Sequence, residues 1–434
     1  MSLLSKISLM ITPNAVKPGK IYSYEPSDGS GDGDFSRAST ATRVNSSGLI
    51  EDVATNIARI DYPTNGSCPH LLFEPQSTNL LTYSEDFSGY SKSSINIVSN
   101  ISTSPDGGIN ATSVTNTSTG QSHIKTSFTA SSTGDYTGSS YIKKQDFDFI
   151  YVEFGNAYAW FNISNGTLGN SGNFGSGWTF VSHSIESVGN DWYRISITAN
   201  NTITGGYNFR PYQPTSANGN YTSGSLGSSF IWGTQIETGS YATSYIPTNG
   251  SAVTRVKDVA TDFGDVNTFN SEEGVLFVEM ARPLILDTYS LLSINNYFSN
   301  SDNNTVTVGF EGGGDLYIRL KANGSEIFKS NNLTSTADFY KIAISYKSDS
   351  SIIYINGNPI IPNQGNLLGN FSFSEALDNL SFDYNGNNVL PFYGKVKQLQ
   401  VYKEALTDAE LEYLTTFRYK TFTGLASGLN YNII

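Results

Sequence analysis

Gly314-Asp-Leu-Tyr-Ile-Arg-Leu-Lys-Ala322 alternates apolar and polar side chains residue by residue. Leu316, Ile318 and Leu320 fall on one side of an extended chain and Tyr317, Arg319 and Lys321 on the other, the period-two pattern of a half-buried antiparallel strand. The alternation recurs on either side of it, through Val306, Val308 and Phe310 in Thr305–Phe310 and through Ile342, Ile344 and Tyr346 in Lys341–Tyr346. Between Ile352–Ile355 and Pro359–Ile361 stands Asn356-Gly357, the pair that accepts the two positive φ angles of a type I′ hairpin turn. Strands with one apolar face, joined by tight turns, predict two packed antiparallel sheets. One helix is legible: Thr407-Asp-Ala-Glu410 forms a capping box, with Leu406 and Leu411 spaced as its hydrophobic staple. The helix is predicted to run to about Thr416.

The rest of the chain agrees. Its 434 residues exceed one compact core and predict two or three domains. Aromatic residues make up 13% (27 Tyr, 25 Phe) and charged residues only 15%, with 41 Gly to supply turns, which favours many short strands. Phe149–Phe154, Trp192–Thr198 and Phe230–Glu237 read as such strands in a second sandwich or jelly roll. Residues up to about 80 lack periodicity, and Pro26-Ser-Asp-Gly-Ser-Gly-Asp-Gly-Asp-Phe35 reads as loop. The fold class is therefore all-β, with two antiparallel β-sandwich (jelly-roll) domains preceded by an irregular N-terminal arm or cap. The expected divisions are 1–80 for an attachment arm, 81–255 for the jelly roll, and 256–434 for a sandwich with a short helix and tail.

A formal charge of 25 − 38 = −13 repels phosphate backbones and anionic lipid, so neither nucleic acid nor membrane is an expected partner. The single Cys68 forms no intrachain disulfide. Met1–Thr12 has no charged leader or cleavage site, and no apolar run reaches the roughly twenty residues a membrane-spanning helix needs.

The closing third resembles the laminin-G-like or concanavalin-like sandwich family. The features carrying this are Tyr340-Lys-Ile-Ala-Ile-Ser-Tyr346, Ile353-Tyr-Ile-Asn-Gly357 and Gly394-Lys-Val-Lys-Gln-Leu-Gln-Val-Tyr402, leading to Ala405-Leu-Thr-Asp-Ala-Glu-Leu411, over roughly 264–420. The first two thirds resemble segments of tailed-phage structural proteins. These are Phe35-Ser-Arg-Ala-Ser-Thr-Ala-Thr-Arg-Val-Asn45, Leu71-Leu-Phe-Glu-Pro-Gln-Ser-Thr-Asn-Leu80, Asp191-Trp-Tyr-Arg-Ile-Ser-Ile197 and Ile231-Trp-Gly-Thr-Gln-Ile-Glu-Thr-Gly239, the last two within a carbohydrate-binding-module-like jelly roll. Together the resemblances imply a virion structural protein (fibre, spike or decoration) on the particle surface, assembled in the host cytoplasm. Other virion proteins, a homo-oligomer and host surface glycans are its implied partners.

Three histidines stand isolated, and no zinc-protease helix, nucleophile elbow or phosphate loop is present, so no enzyme is expected. A glycan depolymerase would need a pair of carboxylates across a cleft, and Glu153, Asp191, Glu237 and Glu279 offer no pair signature. A ligand-free architectural decoration is the other alternative. No cofactor is expected, with one opening for Ca²⁺: Asp28, Asp32 and Asp34, with Ser30, alternate through glycines and present hard oxygens, although Ser39 stands where an EF-hand loop has its bidentate Glu. Trp192 and Trp232 sit in strand patterns and read as core. Trp178, in Gly172-Asn-Phe-Gly-Ser-Gly-Trp-Thr179, reads with Phe174 as a loop-borne glycan-stacking pair. Arg37, Arg43 and Arg59, with Asp61, read either as virion attachment or as internal ion pairs.

Overall fold

The computed structural model describes residues 3–64, 66–281, 288–296, 303–333, 339–360, 370–384 and 389–416. The chain is almost entirely antiparallel β and divides into two compact units. The first is Met1–Thr40 with Val53–Pro75 and Lys257–Ile434, and the second is Ala41–Asp52 with Gln76–Val256.

In the first unit the strand Leu316–Ala322 lies between Thr305–Phe310 and Ser325–Leu333 in a sheet completed by Ser290–Asn295 and Asn379–Ser381. Leu316, Ile318 and Leu320 enter the core, as the alternation requires. The facing sheet centres on Glu273–Ala281, paired with Phe339–Lys347 on one side and Gly394–Tyr402 on the other. Asn356 and Gly357 take φ of 52° and 85° at the predicted hairpin turn, which joins Ile352–Ile355 to Asn358–Ile360. Ile361 and residues 417–434 lie outside the described residues. The helix Asp408–Thr415 begins at Thr407 with both arms of the capping box formed. Leu406 and Leu411 are buried together against Val275, Phe277 and Tyr402 on the back of the large sheet.

The first eighty residues do not form a separate arm. Ile7–Lys17 pairs with Gly394–Tyr402, with Ile7 opposite Tyr402, and Lys20–Glu25, Gly33–Ser36, Arg59–Asp61 and His70–Phe73 extend the same sheet. Leu9, Ile11, Ile21, Phe35, Ile60, Leu71 and Phe73 complete a core whose larger part comes from beyond residue 257. Gly33–Ser36, Arg59–Asp61 and His70–Phe73 are only three or four residues long, too short to show a period, and the sheet they join is completed by Gly394–Tyr402 from far along the chain. Gly33 to Phe35 are likewise strand rather than loop. The strand alternates buried and exposed, and the Phe263 ring lies where a Cβ on Gly33 would stand, only 2.3 Å away.

The second unit is a jelly-roll-type sandwich of two six-stranded sheets. One runs Ile95–Thr103, Ile109–Asn116, Ser228–Thr238, Gly134–Lys144, Trp192–Asn201, Trp178–Ser187. The other runs Thr167–Asn173, Ala157–Asn162, Phe149–Phe154, Gly205–Thr215, His123–Ala130, Ser91–Ser93. Ile150, Val152, Phe154, Ala157, Ala159 and Phe161 fill the core between them. Trp192 and Trp232 are buried with Ile50, Ala111, Tyr141 and Tyr245 in a smaller cluster, inside as expected.

Candidate functional site

Side chains alternate across a strand, so the residues between those core positions project from the opposite face of the second sheet. On Phe149–Phe154 they are Tyr151 and Glu153; on Ala157–Asn162 they are Tyr158 and Trp160. The register sets Tyr151 opposite Trp160 and Glu153 opposite Tyr158. Tyr151 and Trp160 meet at a centroid separation of 4.7 Å, and Tyr158 packs edge-on to Trp160 at 5.4 Å. Tyr221, from the loop after Gly205–Thr215, closes on Trp160 at 5.0 Å and on Tyr151 at 5.3 Å. Trp160 Nε1 donates to the Asn220 carbonyl at 2.9 Å, tying that loop down. Phe174 stacks on Tyr158, 5.8 Å between centroids and 12° from parallel. Gly172 stands opposite Tyr158, where a Cβ would lie 2.9 Å from the tyrosine hydroxyl, so glycine leaves the ring room to lie across its strand.

Five rings thus gather outside either core of this unit. Tyr151 and Trp160 form a floor, and Phe174, 44% exposed, and Tyr221, 41% exposed, reach solvent beside the half-buried Tyr158. The platform continues into polar groups. Arg210 pairs with Glu153 at 2.8 Å and donates to Gln213 Oε1 at 3.1 Å. Burial raises the Glu153 pKa, against the pull of Arg210 and Lys125. Burial, Arg210 and Lys125 together push His123, on the adjoining strand, down to about 4. An aromatic patch, with the near-parallel Phe174 and Tyr158 rings at its edge and charged hydrogen-bonding groups beside it, suits a ligand with one apolar face and a rim of hydroxyls.

Of the residues proposed from sequence, Phe174 belongs to this face and Trp178 does not. Trp178 is 1% exposed and packs between Phe128, Phe154, Tyr136 and Tyr207, with Gly155 making room against its ring. It starts the edge strand Trp178–Ser187, paired to Asn201, so its side chain points into the sandwich. A ring with no free face cannot stack on a sugar, and the recognition reading of Trp178 is corrected.

The carboxylates proposed for Ca²⁺ diverge. Asp28 accepts from the Ser30 amide and hydroxyl, Asp32 from the Ser23 amide at 2.9 Å, and Asp34 pairs with Lys20. Among the described residues no three His, Cys, Asp or Glu side chains come together as a metal site.

Arg37 and Arg59 are buried ion-pair partners, not attachment groups. Arg37 bonds Asp258 at 3.0 Å, and Arg59 reaches Asp258 at 2.5 Å and Glu74 at 2.6 Å. Burial opposes the Arg59 charge, but Asp258 and Glu74 outweigh it and raise the pKa above its ordinary value. Arg43 is partly exposed and pairs with Glu51, and Asp61 pairs with His70. The carboxylates considered for hydrolysis have separate surroundings. Glu237 is fully buried with Ser77, Gln235 and Thr243, Glu279 lies between Lys341 and Lys397, and Asp191 is exposed near Lys143.

Residues 288–412 match the family model described as the concanavalin A-like lectin/glucanases superfamily. That stretch lies in the first unit, where the sequence resembles laminin-G-like sandwiches. No curated protein sequence matches the chain. Solved structures similar to it include Ruminococcus gnavus IT-sialidase CBM40 bound to alpha2,3 sialyllactose, 16% identical over 34% of this chain and 84% of that one, TM-score 0.28. Domain 4 of AbnA, a GH43 extracellular arabinanase from Geobacillus stearothermophilus, in complex with arabinotriose, is 17% identical over 41% and 83%, TM-score 0.27. Mouse laminin alpha1 chain domains LG4-5 are 10% identical over 63% and 83%, TM-score 0.21.

Proposed function

We propose that the chain is a non-catalytic glycan-binding protein that recognises sugar through the outer face of the jelly-roll sheet. The observation carrying this reading is the solvent-facing platform of Tyr158, Phe174 and Tyr221 over Tyr151 and Trp160, bordered by the Glu153–Arg210 pair. Aromatic rings cover the apolar faces of pyranose units, while the carboxylate and guanidinium bond hydroxyls. The neighbour of Glu153 is a cation rather than a second carboxyl, which favours binding over hydrolysis, since canonical glycosidases work with two acids. Screening the chain on a glycan array, then incubating each bound glycan and assaying reducing ends, tests both halves. Binding without new reducing ends is the expected result, and release of reducing ends would make the chain a depolymerase.

The finer part of the proposal places this module on a bacteriophage particle, as a homo-oligomeric fibre, spike or decoration. It is supported by the phage-like segments Phe35–Asn45 and Leu71–Leu80. The exposed apolar side chains Val98, Ile101 and Ile109, on an edge hairpin of the jelly roll, offer a surface for self-association. Antibody labelling of purified virions under the electron microscope is expected to decorate an external appendage. Unlabelled particles would remove the virion reading and leave the glycan-binding one standing.

A further inference from the structure

The second unit has a cleft of 350 Å³ that shares no residue with the aromatic face, lined among others by Tyr83, Glu85, Asp86, Asn110, Thr248 and Asn249. Its volume lies at the lower end of the roughly 300–1,000 Å³ of small-molecule sites. Thr248 is 7% exposed and its hydroxyl has no hydrogen-bond partner, although its backbone N–H and carbonyl are both engaged by Ser84. The hydroxyl oxygen itself is covered, so Thr248 contributes to the cleft as wall rather than as a ligand-bonding group.

The remaining lining groups specify the ligand. Glu85 is held in place, its Oε1 accepting from Tyr245 Oη at 2.9 Å and its Oε2 from Asn110 Nδ2 at 3.2 Å. Each carboxylate oxygen has two acceptor lone pairs, which leaves Glu85 capacity to accept from a hydroxyl donor. Asn249 stands exposed at the rim, and Tyr83, 43% exposed, supplies an aromatic wall. None of the lining residues is cationic, which disfavours an anion. No metal-ligating set of three forms among the described residues, which disfavours a metal ion.

We infer that this cleft is a second ligand site, separate from the aromatic face, that takes one neutral sugar unit. Tyr83 covers its apolar face, while Glu85, Asn110 and Asn249 bond its hydroxyls. The site stands on its own residues, whether or not the aromatic face binds glycan.

The test is ligand-observed NMR titration of the full chain with the methyl glycopyranosides of glucose, galactose and mannose, beside Tyr83→Ala, Glu85→Gln and Phe174→Ala. At least one glycoside is expected to bind in the millimolar range. Its affinity should fall about tenfold or more in Tyr83→Ala and Glu85→Gln, and stay as in the wild type in Phe174→Ala. Tyr83 is an exposed side chain, so Tyr83→Ala should keep its melting temperature, and lost binding would then not be lost fold. The inference is overturned if the wild type binds none of the three, or if Tyr83→Ala binds as the wild type does. It is also overturned if Ca²⁺ raises the melting temperature of the wild type and not of Glu85→Gln, which would make the cleft a cation site.

Discussion

Replacing Trp178 by alanine separates a core residue from a ligand platform. Trp178 is 1% exposed and touches Phe128, Phe154, Tyr136 and Tyr207 at centroid distances of 4.9 to 5.9 Å. Removing a fully buried tryptophan costs about 3–5 kcal/mol, the upper part of the range applying where neighbours cannot collapse into the space. Here the neighbours are aromatic rings on strands fixed by their ladders, which favours the upper part. One contribution runs the other way: the indole Nε1 is buried without a partner, and its removal returns about 1 kcal/mol. The net expectation is therefore a loss of roughly 4 kcal/mol. Urea unfolding followed by circular dichroism reads it as a lower midpoint at unchanged slope. Glycan affinity of the folded variant should match the wild type, because the ring lies on the core side of the sandwich. A stability within about 0.5 kcal/mol of wild type, together with weakened glycan binding, would refute the packing argument and return Trp178 to the ligand site.

Arg59→Ala should destabilise the first unit by about 3–5 kcal/mol in urea unfolding, because it takes the Arg59 cation from buried Glu74 and leaves Asp258 with Arg37 as its cation. Thr407→Ala should cost about 1 kcal/mol by the same measurement, the usual loss for an N-cap. Folded His123 takes its proton only near pH 4, whereas the unfolded residue takes it near 6.5. Between those values the unfolded state holds more protons, so stability rises with pH and falls on acidification through that window. His123→Gln should therefore flatten the dependence of stability on pH between 6.5 and 4, read from urea midpoints across a pH series.

Legibility followed the range of the interactions. The strand Leu316–Ala322, the Asn356-Gly357 turn and the Thr407–Glu410 capping box are decided by residues within a turn or a strand of one another, and all three are present. The place of the first eighty residues in this sheet was not legible, since the strands that anchor them are remote: Ile7–Lys17 and His70–Phe73 both pair with Gly394–Tyr402, and Ser8 Oγ donates to the Val401 carbonyl, 393 positions away. Trp178 was misread because glycines surround it in sequence. In the fold it is Gly155, in the turn between Phe149–Phe154 and Ala157–Asn162, that admits the ring to the core. Part of the aromatic face had a signal, Tyr151-x-Glu153 and Tyr158-x-Trp160 at period two, alternating with Val152 and Ala159, which face the core. Phe174 was singled out, but for pairing with Trp178 rather than Tyr158. Arg210 and Tyr221 join the face only through strand register and a folded-back loop.

The outer face of the jelly-roll sheet is tested most directly by isothermal titration of the strongest array glycan into the wild type and Phe174→Ala. Phe174 is exposed, so the variant should melt with the wild type while its affinity falls about tenfold, the loss of one stacking ring. Equal affinity in the two proteins, at equal stability, would contradict the assignment of this face to glycan recognition.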